Sequence, residues 1–218
     1  SHDRFNAPIF CVNDYVCWSA PVEDLSEWRY EGVIYRKKQD PKNPLGYHLL
    51  FAPDVCQGPD GRYYLYYAFD FLGIMSVAVC DTPAGEYKFL GHIHYADGTL
   101  WGRRRGDQLP FDPGVLADDD GRVWLYSGFY NAVPAILTGG HKLRCDGGTV
   151  LELEKDMVTI KTEPRVIFPK KGPGAFQGHE FFEASSIRKE GKTYIFVYSS
   201  RHNHELCYAT SQSPDRDF

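Results

Sequence analysis

The sequence lacks any run of apolar residues that approaches the ~20 needed for a membrane-spanning helix. Its six cysteines lie far apart, and without a Cys-x-x-Cys pair they do not suggest a zinc site. The Gly-x-Ser-x-Gly motif of serine hydrolases is missing, as is a glycine-rich loop that could cradle phosphate. These absences argue against a membrane partner, serine-hydrolase chemistry and a nucleotide cofactor.

Basic charge is also scarce, with 24 Lys and Arg against 29 Asp and Glu and a net charge of −5. The one basic run, Arg103-Arg104-Arg105, is interpreted as a solvated loop. A nucleic-acid-binding protein would carry a broader basic surface, so no nucleic-acid partner is expected. Most cysteines stand in apolar, strand-like runs, where a free thiol acts as a small hydrophobe. With no signal peptide visible, this usage predicts a cytoplasmic location.

Aromatic residues are abundant, at 15%, and they occur in an internal repeat. FAPDVCQGPDGRYYLYYAF begins at Phe51, FDPGVLADDDGRVWLYSGF at Phe111 and FEASSIRKEGKTYIFVYSS at Phe182. Each copy predicts a short strand, a polar turn that ends in glycine, and a longer aromatic strand. A second repeat is seen in VAVCDTPAGEY from Val77 and YATSQSPDRDF from Tyr208, with a similar CWSAPVEDLSEW near the start.

Units of about four strands at this period, without an amphipathic helix, predict an all-β fold of the β-propeller type. The predicted units are residues 1–45 (the rest of a first blade), 46–105 (a second), 106–175 (a third) and 176–218 (part of a fourth). On this register the chain is expected to begin and end within a blade, so the propeller is truncated at both ends. Blade edges left unpaired in this way would favour association with another chain.

The second residues of the three repeat copies are Ala52, Asp112 and Glu183. The innermost strands of a propeller begin at its central channel, so these positions are predicted to converge. Each acid could instead be structural, for example through a pair with Arg188. Two carboxyls at repeat-equivalent sites favour function, because glycoside hydrolysis uses one protonated and one ionised carboxyl. Flanking phenylalanines make Glu183 the better candidate for the protonated group.

The motifs FAPDV, FDPGVLADDDG and FFEASSIRK resemble those of glycoside hydrolase family 43, and the resemblance extends over essentially the whole chain. It implies a five-bladed propeller and an inverting enzyme of the β-xylosidase or α-L-arabinofuranosidase type, acting on xylo- or arabino-oligosaccharides of plant cell walls. By motif, Glu183 matches the general acid and Asp112 matches the aspartate that orients the acid and tunes its pKa. Phe51 matches the position of an aromatic residue beside the substrate sugar, and the alternative for it is a core aromatic at the start of a strand.

The general base of the family belongs to the first strand of the first blade, for which this sequence has no match. Neither Asp3 nor Asp14 stands at the corresponding position. The chain alone is therefore expected to hydrolyse glycosides very weakly or not at all. The alternatives are a propeller that binds carbohydrate without cleaving it and a propeller that contacts proteins through its rim, although the second leaves both acids unexplained.

No cofactor or metal is predicted, and the channel calcium known in the family has no support in this sequence. His92-x-His94 and His202-x-His204 each place two histidines on one strand face, but neither pair has a third ligand nearby in sequence. Asp54 is interpreted as a structural contact between blades. The segment 177–179 is either pocket-lining or an ordinary loop.

Overall fold

A computed structural model describes residues 11–218 of the chain. Its regular elements are short strands, joined by turns and by one 3₁₀ turn at Lys37–Gln39. In chain order the strands are β1 Tyr15–Ser19, β2 Arg29–Tyr35, β3 Leu50–Gln57, β4 Tyr63–Phe69, β5 Met75–Cys80, β6 Lys88–His92, β7 Gly114–Ala117, β8 Val123–Phe129, β9 Gly147–Leu153, β10 Arg165–Pro169, β11 Phe181–Glu190, β12 Thr193–Ser200 and β13 Leu206–Ser211. Within residues 11–218, no helix has the length and apolar character to cross a bilayer.

The strands of the described chain form four antiparallel sheets in which neighbours in sequence are neighbours in space. The sheets are β1-β2, β3-β4-β5-β6, β7-β8-β9-β10 and β11-β12-β13. Successive up-and-down sheets of up to four strands are the blades of a propeller, which confirms the predicted fold class. The blade boundaries placed at 45/46, 105/106 and 175/176 stay predictions, and each falls in a connection between two of these sheets.

The polar turns between the first two strands of each repeat copy follow the sequence prediction. Gly61, Gly121 and Gly191 have φ values of 82°, 81° and 57°. This left-handed conformation suits glycine, because a Cβ atom would be strained there. The three turns fix the register of β3 on β4, β7 on β8 and β11 on β12.

The sheets pack face to face, so a central strand is covered on both sides. Every residue of β8 is buried, with neighbours from the preceding and following sheets. One cluster joins Tyr66 of β4 to Leu125 of β8, and another joins Tyr126 of β8 to Phe196 of β12. Strands that are covered on both faces have nearly continuous apolar sequences, which explains the aromatic run in each copy of the repeat.

A separate cluster of buried residues lies where the inner ends of three sheets meet. It contains Phe111 and Phe129 from the third sheet, with Phe51 and Phe182 packed against it from the second and fourth. The innermost strands β3, β7 and β11 contact one another in this order. The starts of these strands therefore meet around one axis, as the repeat predicted, and the candidate acids stand there.

The arginine run is only partly the solvated loop that the sequence predicted. Arg103 is half-buried, and its guanidinium donates to the carbonyls of Gly73 and Leu72, at 2.9 and 3.1 Å. Arg104 lies 3.4 Å from the centre of the Tyr95 ring. Free backbone carbonyls and an aromatic face next to the loop explain the difference, since both attract a guanidinium group.

Candidate active site

The backbone at the start of each innermost strand turns through one residue in the left-handed region. These residues are Ala52, Asp112 and Ala184, with φ values of 32°, 49° and 63°. The equivalence of Ala52, Asp112 and Glu183 predicted from sequence is thus shifted by one residue, because Glu183 precedes the left-handed position that Asp112 occupies. Register irregularities in β11 on both sides of Glu183 accommodate the difference.

Asp112 is deeply buried, with 5% of its surface exposed. Its Oδ2 accepts a hydrogen bond of 2.9 Å from the backbone N–H of Ala184, which ties the third sheet to the fourth. Burial, with a smaller contribution from the Glu183 carboxylate, raises the pKa of Asp112 to about 7, and the Ala184 N–H opposes this rise. A carboxyl in this setting carries its proton in weakly acidic solution.

Glu183 is more open, with 27% of its side chain exposed. Its Oε1 lies 3.9 Å from Nδ1 of His204, and the His204 ring meets the Phe182 ring edge-on at 4.7 Å. Partial burial raises the pKa of Glu183, while the imidazole of His204 lowers it. The burial order is the reverse of that predicted from the flanking phenylalanines. Phe181 is buried, but the register of β11 is irregular on both sides of Glu183, so Glu183 does not follow Phe181 onto the buried face as regular alternation would require.

The central cavity is lined by the three innermost strands and has a volume of about 290 Å³. Its wall comprises Ala52, Pro53, Asp54, Asp112, Pro113, Ala184, Ser185, Ser186 and Arg188. Asp112 is in this wall and Glu183 is not. The two carboxyls are close enough for the charge of one to raise the pKa of the other, but only Asp112 faces this cavity.

Phe51 belongs to an aromatic group beside the carboxyls. Its ring lies 5.7 Å from Phe111 and 6.4 Å from Phe71, and the side chain is half-buried. A partly exposed ring can cover the apolar face of a sugar while its other side packs on the core. Its contact with substrate stays a prediction.

Asp54 makes the structural contact between blades that the sequence suggested. Its Oδ2 accepts the backbone N–H of Val115 at 2.8 Å, and its Oδ1 lies 3.3 Å from Nη2 of Arg188. One carboxylate therefore joins β3, β7 and β11.

Sequence reasoning missed two residues at the carboxyl pair. Tyr15 of β1 donates its hydroxyl to the Phe51 carbonyl at 2.9 Å, and burial raises its pKa, with Asp112 among the smaller contributions. His204 was considered only as half of a metal-binding pair. The repeat could not reveal Tyr15, because Tyr15 lies outside the aligned copies. The signal for His204 was the Arg-His-Asn-His-Glu segment that directly follows the aromatic strand of the third copy.

The two histidine pairs do not converge on a third ligand within the part of the chain that the structure describes. His92 Nε2 lies 3.0 Å from Oδ1 of buried Asp40, whereas His94 Nδ1 lies 2.9 Å from the Tyr95 carbonyl. Over residues 11–218, one group of three donor atoms is close enough to hold an ion, and it consists of His179, Glu205 and Cys207.

Comparison with known proteins identifies the family to which this chain belongs. The model of the glycosyl hydrolases family 43 matches residues 10–217. A xylosidase/arabinosidase of Thermoclostridium stercorarium is 58% identical over 222 residues, which covers 100% of this chain and 45% of the relative. A xylosidase/arabinosidase 43A of Humicola insolens is 32% identical, covering 98% of this chain and 71% of the relative.

Solved structures agree with this assignment. An α-L-arabinofuranosidase of Clostridium thermocellum superimposes with a TM-score of 0.65 at 25% identity, covering 93% of this chain and 59% of that one. A GH43_1 enzyme of Xanthomonas citri, complexed with xylose, gives a TM-score of 0.67 at 25% identity, covering 93% of this chain and 62% of that one. The chain thus spans between 45% and 71% of the length of these proteins. With a family match over almost its whole length and a relative at 58% identity, the chain belongs to the glycosyl hydrolases of family 43.

Proposed function

We propose that this chain supplies the general acid and the orienting carboxyl of an inverting glycoside hydrolase that acts on xylose- or arabinose-containing glycosides of plant cell walls. The observation that carries the proposal is the pairing of Asp112 and Glu183 on adjacent innermost strands, where the two carboxyls are unequally buried and the charge of Glu183 raises the pKa of Asp112. Environments that differ in this way are how enzymes give two carboxyls separate roles. The relatives named as xylosidases and arabinosidases support the substrate class.

Glu183 is proposed to donate its proton to the oxygen of the leaving group. Its exposed fraction lets it reach a substrate, and partial burial raises its pKa, which favours the protonated form that a general acid requires. As the glycosidic bond breaks, the proton moves to the leaving oxygen and Glu183 becomes a carboxylate. The imidazole of His204, when protonated, then lies beside that new negative charge.

Asp112 is proposed to position the acid rather than to react. Its carboxyl holds the N–H of Ala184, the residue directly after Glu183, so it fixes the backbone from which the acid projects. When Asp112 is ionised, its charge also favours the protonated form of Glu183. Both effects require the start of β7 to lie close to the start of β11, and the packing of the third sheet on the fourth brings them together.

An inverting reaction also requires a base that activates water on the opposite face of the sugar, with the two carboxyls roughly 6.5–9.5 Å apart. Asp14 does not suit this role. Its Oδ1 accepts a hydrogen bond of 2.9 Å from the backbone N–H of Lys37, which joins the residue before β1 to the turn after β2. Asp3 lies outside the described residues. The base is therefore left unassigned, and no cofactor or metal is proposed for the reaction.

The proposal is tested by incubating an active protein that contains this chain with xylotriose and with nitrophenyl β-xyloside and α-arabinofuranoside, and by following released sugar. Proton NMR of the first-formed sugar reports whether the anomeric configuration is inverted. The expected result is inversion of configuration, with loss of xylotriose turnover in Glu183→Gln and its retention in Glu190→Gln, a control at the far end of the same strand. Retained configuration, or full activity in Glu183→Gln, would overturn the proposal.

Calorimetric titration of the same protein with xylotriose separates the non-catalytic alternative. Binding of xylotriose without any hydrolysis, unchanged by Glu183→Gln, in a protein that contains both this chain and the base-bearing strand would favour a propeller that only binds carbohydrate.

A further inference from the structure

A second group of reactive side chains lies on the fourth sheet, apart from the carboxyl pair. His179 precedes β11, Glu205 ends the turn between β12 and β13, and Cys207 lies within β13. Their donor atoms all lie within 4.8 Å of one another. Nδ1 of His179 is 2.8 Å from Oε2 of Glu205, and Sγ of Cys207 is 3.9 Å from the same oxygen. Two segments, the one before β11 and the start of β13, thus bring a nitrogen, an oxygen and a sulfur close together.

The backbone around this group is held by its own hydrogen bonds. The Tyr198 hydroxyl donates to the His179 carbonyl at 2.8 Å, and the Arg201 N–H donates to the Glu180 carbonyl at 2.9 Å. The Ser200 hydroxyl donates to Oε2 of Glu205 at 3.0 Å. The donor atoms are therefore positioned before any ligand arrives, which reduces the entropy lost on binding.

A simple ion pair accounts for only two of the three side chains. His179 and Glu205 form a short hydrogen bond, whereas the Cys207 thiol, a weak donor, makes only a long contact of 3.9 Å with Glu205 and a contact with the Tyr198 side chain. Atoms bound to a tetrahedral zinc ion at 2.0–2.3 Å stand about 3.4 Å apart, between the two separations observed here. A movement of under about 1 Å would bring all three donors to one ion.

The donor set selects the type of ion. Imidazole nitrogen and thiolate sulfur suit zinc and related transition metals, whereas calcium and magnesium prefer an all-oxygen shell. With 59% of the His179 side chain exposed, water can occupy a fourth position. We propose that His179, Glu205 and Cys207 form a three-ligand site for a transition-metal cation of the Zn²⁺ class, which would fasten the segment before β11 to β13.

The test is calorimetric titration of the 218-residue chain with ZnCl₂, under a reductant that does not chelate metal, together with absorption spectra after addition of Co²⁺. The unaltered chain should bind one equivalent tightly and show the sulfur-to-cobalt charge-transfer band of a thiolate ligand. Cys207→Ser should remove the band, and both Cys207→Ser and His179→Gln should weaken Zn²⁺ binding at least tenfold, because each removes a direct ligand. Cys17→Ser, at another half-buried cysteine of a different sheet, should bind as the unaltered chain does.

His179→Gln changes an exposed side chain, so it keeps the test valid if Cys207→Ser fails to fold; circular dichroism distinguishes these cases. The proposal is wrong if the unaltered chain binds no Zn²⁺, if both variants bind it as tightly as the unaltered chain, or if Ca²⁺ and Mg²⁺ bind at the same site with equal affinity. None of these readouts depends on glycoside hydrolysis, so they succeed or fail independently of the proposed enzyme function.

Discussion

The starts of β7 and β11 carry similar acids in different surroundings. Asp112 is 5% exposed and bonds to a backbone N–H, whereas the side chain of Glu183 is 27% exposed and faces an imidazole. Both acids follow a phenylalanine in sequence. The difference teaches that the neighbouring sheet decides the environment of an acid here: β11 covers Asp112, while the turn before β13 leaves Glu183 partly open.

The largest effect on activity is expected from substitution of Glu183, the more exposed of the two acids. In an active protein that contains this chain, Glu183→Gln should lower kcat on xylobiose about 10²–10⁴-fold, because it removes general acid catalysis. Nitrophenyl glycosides should lose less, since nitrophenolate leaves without a proton. Steady-state kinetics on both substrates check this. Equal losses on the two substrates would contradict the acid role, and Glu190→Gln should change neither rate.

The buried member should dominate the pH dependence of stability. The pKa of Asp112 rises from about 3.9 in an unfolded chain to about 7 in the fold. A raised carboxyl pKa means that its contribution to stability is fully present below pH ~4 and is lost as the pH rises through ~7. Asp112→Asn should remove that loss, on the order of 3 kcal/mol between these limits.

Urea unfolding of the chain at several pH values between 4 and 8 measures this effect. The matched control is Asp119→Asn in the turn after β7, whose side chain is 85% exposed. A stability profile that stays parallel in Asp112→Asn and the unaltered chain would show that the fold does not raise the pKa of Asp112.

A smaller change is expected at the aromatic group. Phe51→Leu keeps apolar volume but removes the ring, so it should raise KM for xylotriose roughly 2–10-fold with little change in kcat, in line with about 0.5–1.5 kcal/mol for an aromatic contact. Phe89→Leu on β6 is the control. If the KM does not move and stability falls instead, Phe51 is a core residue only.

The smallest effect on activity is expected from substitution of His204. The imidazole lowers the pKa of Glu183, so His204→Gln should raise that pKa and move the alkaline limb of the kcat/KM profile to higher pH by less than about one unit. The pH profile of the variant on a natural glycoside measures the shift. A shift toward lower pH would mean that His204 acts by hydrogen bonding to the protonated acid instead.

Much of the architecture was predictable from local chemistry. The glycines of the three repeat turns and the aromatic runs after them specify hairpins whatever surrounds them. The one-residue shift of Glu183 relative to Asp112 was not predictable. Phe-Asp-Pro and Phe-Glu-Ala have the same pattern of an aromatic residue and an acid, but their conformations depend on contacts between sheets. A Cβ at Gly114 would lie 2.8 Å from the Ser185 carbonyl, so glycine lets β7 approach β11 this closely. Such an approach, like the position of His204, is a long-range property that a repeat alignment does not contain.

The hydrogen bond from Ala184 to Asp112 has a spectroscopic consequence. An amide proton held by a carboxylate resonates at a different frequency from one held by a neutral acid, because the charge polarises the N–H bond. The nitrogen-15 and proton shifts of this one amide therefore record the charge of a side chain that solvent scarcely reaches. A single cross-peak followed through a titration would give the ionisation curve of the buried carboxyl, seen from the backbone beside its partner.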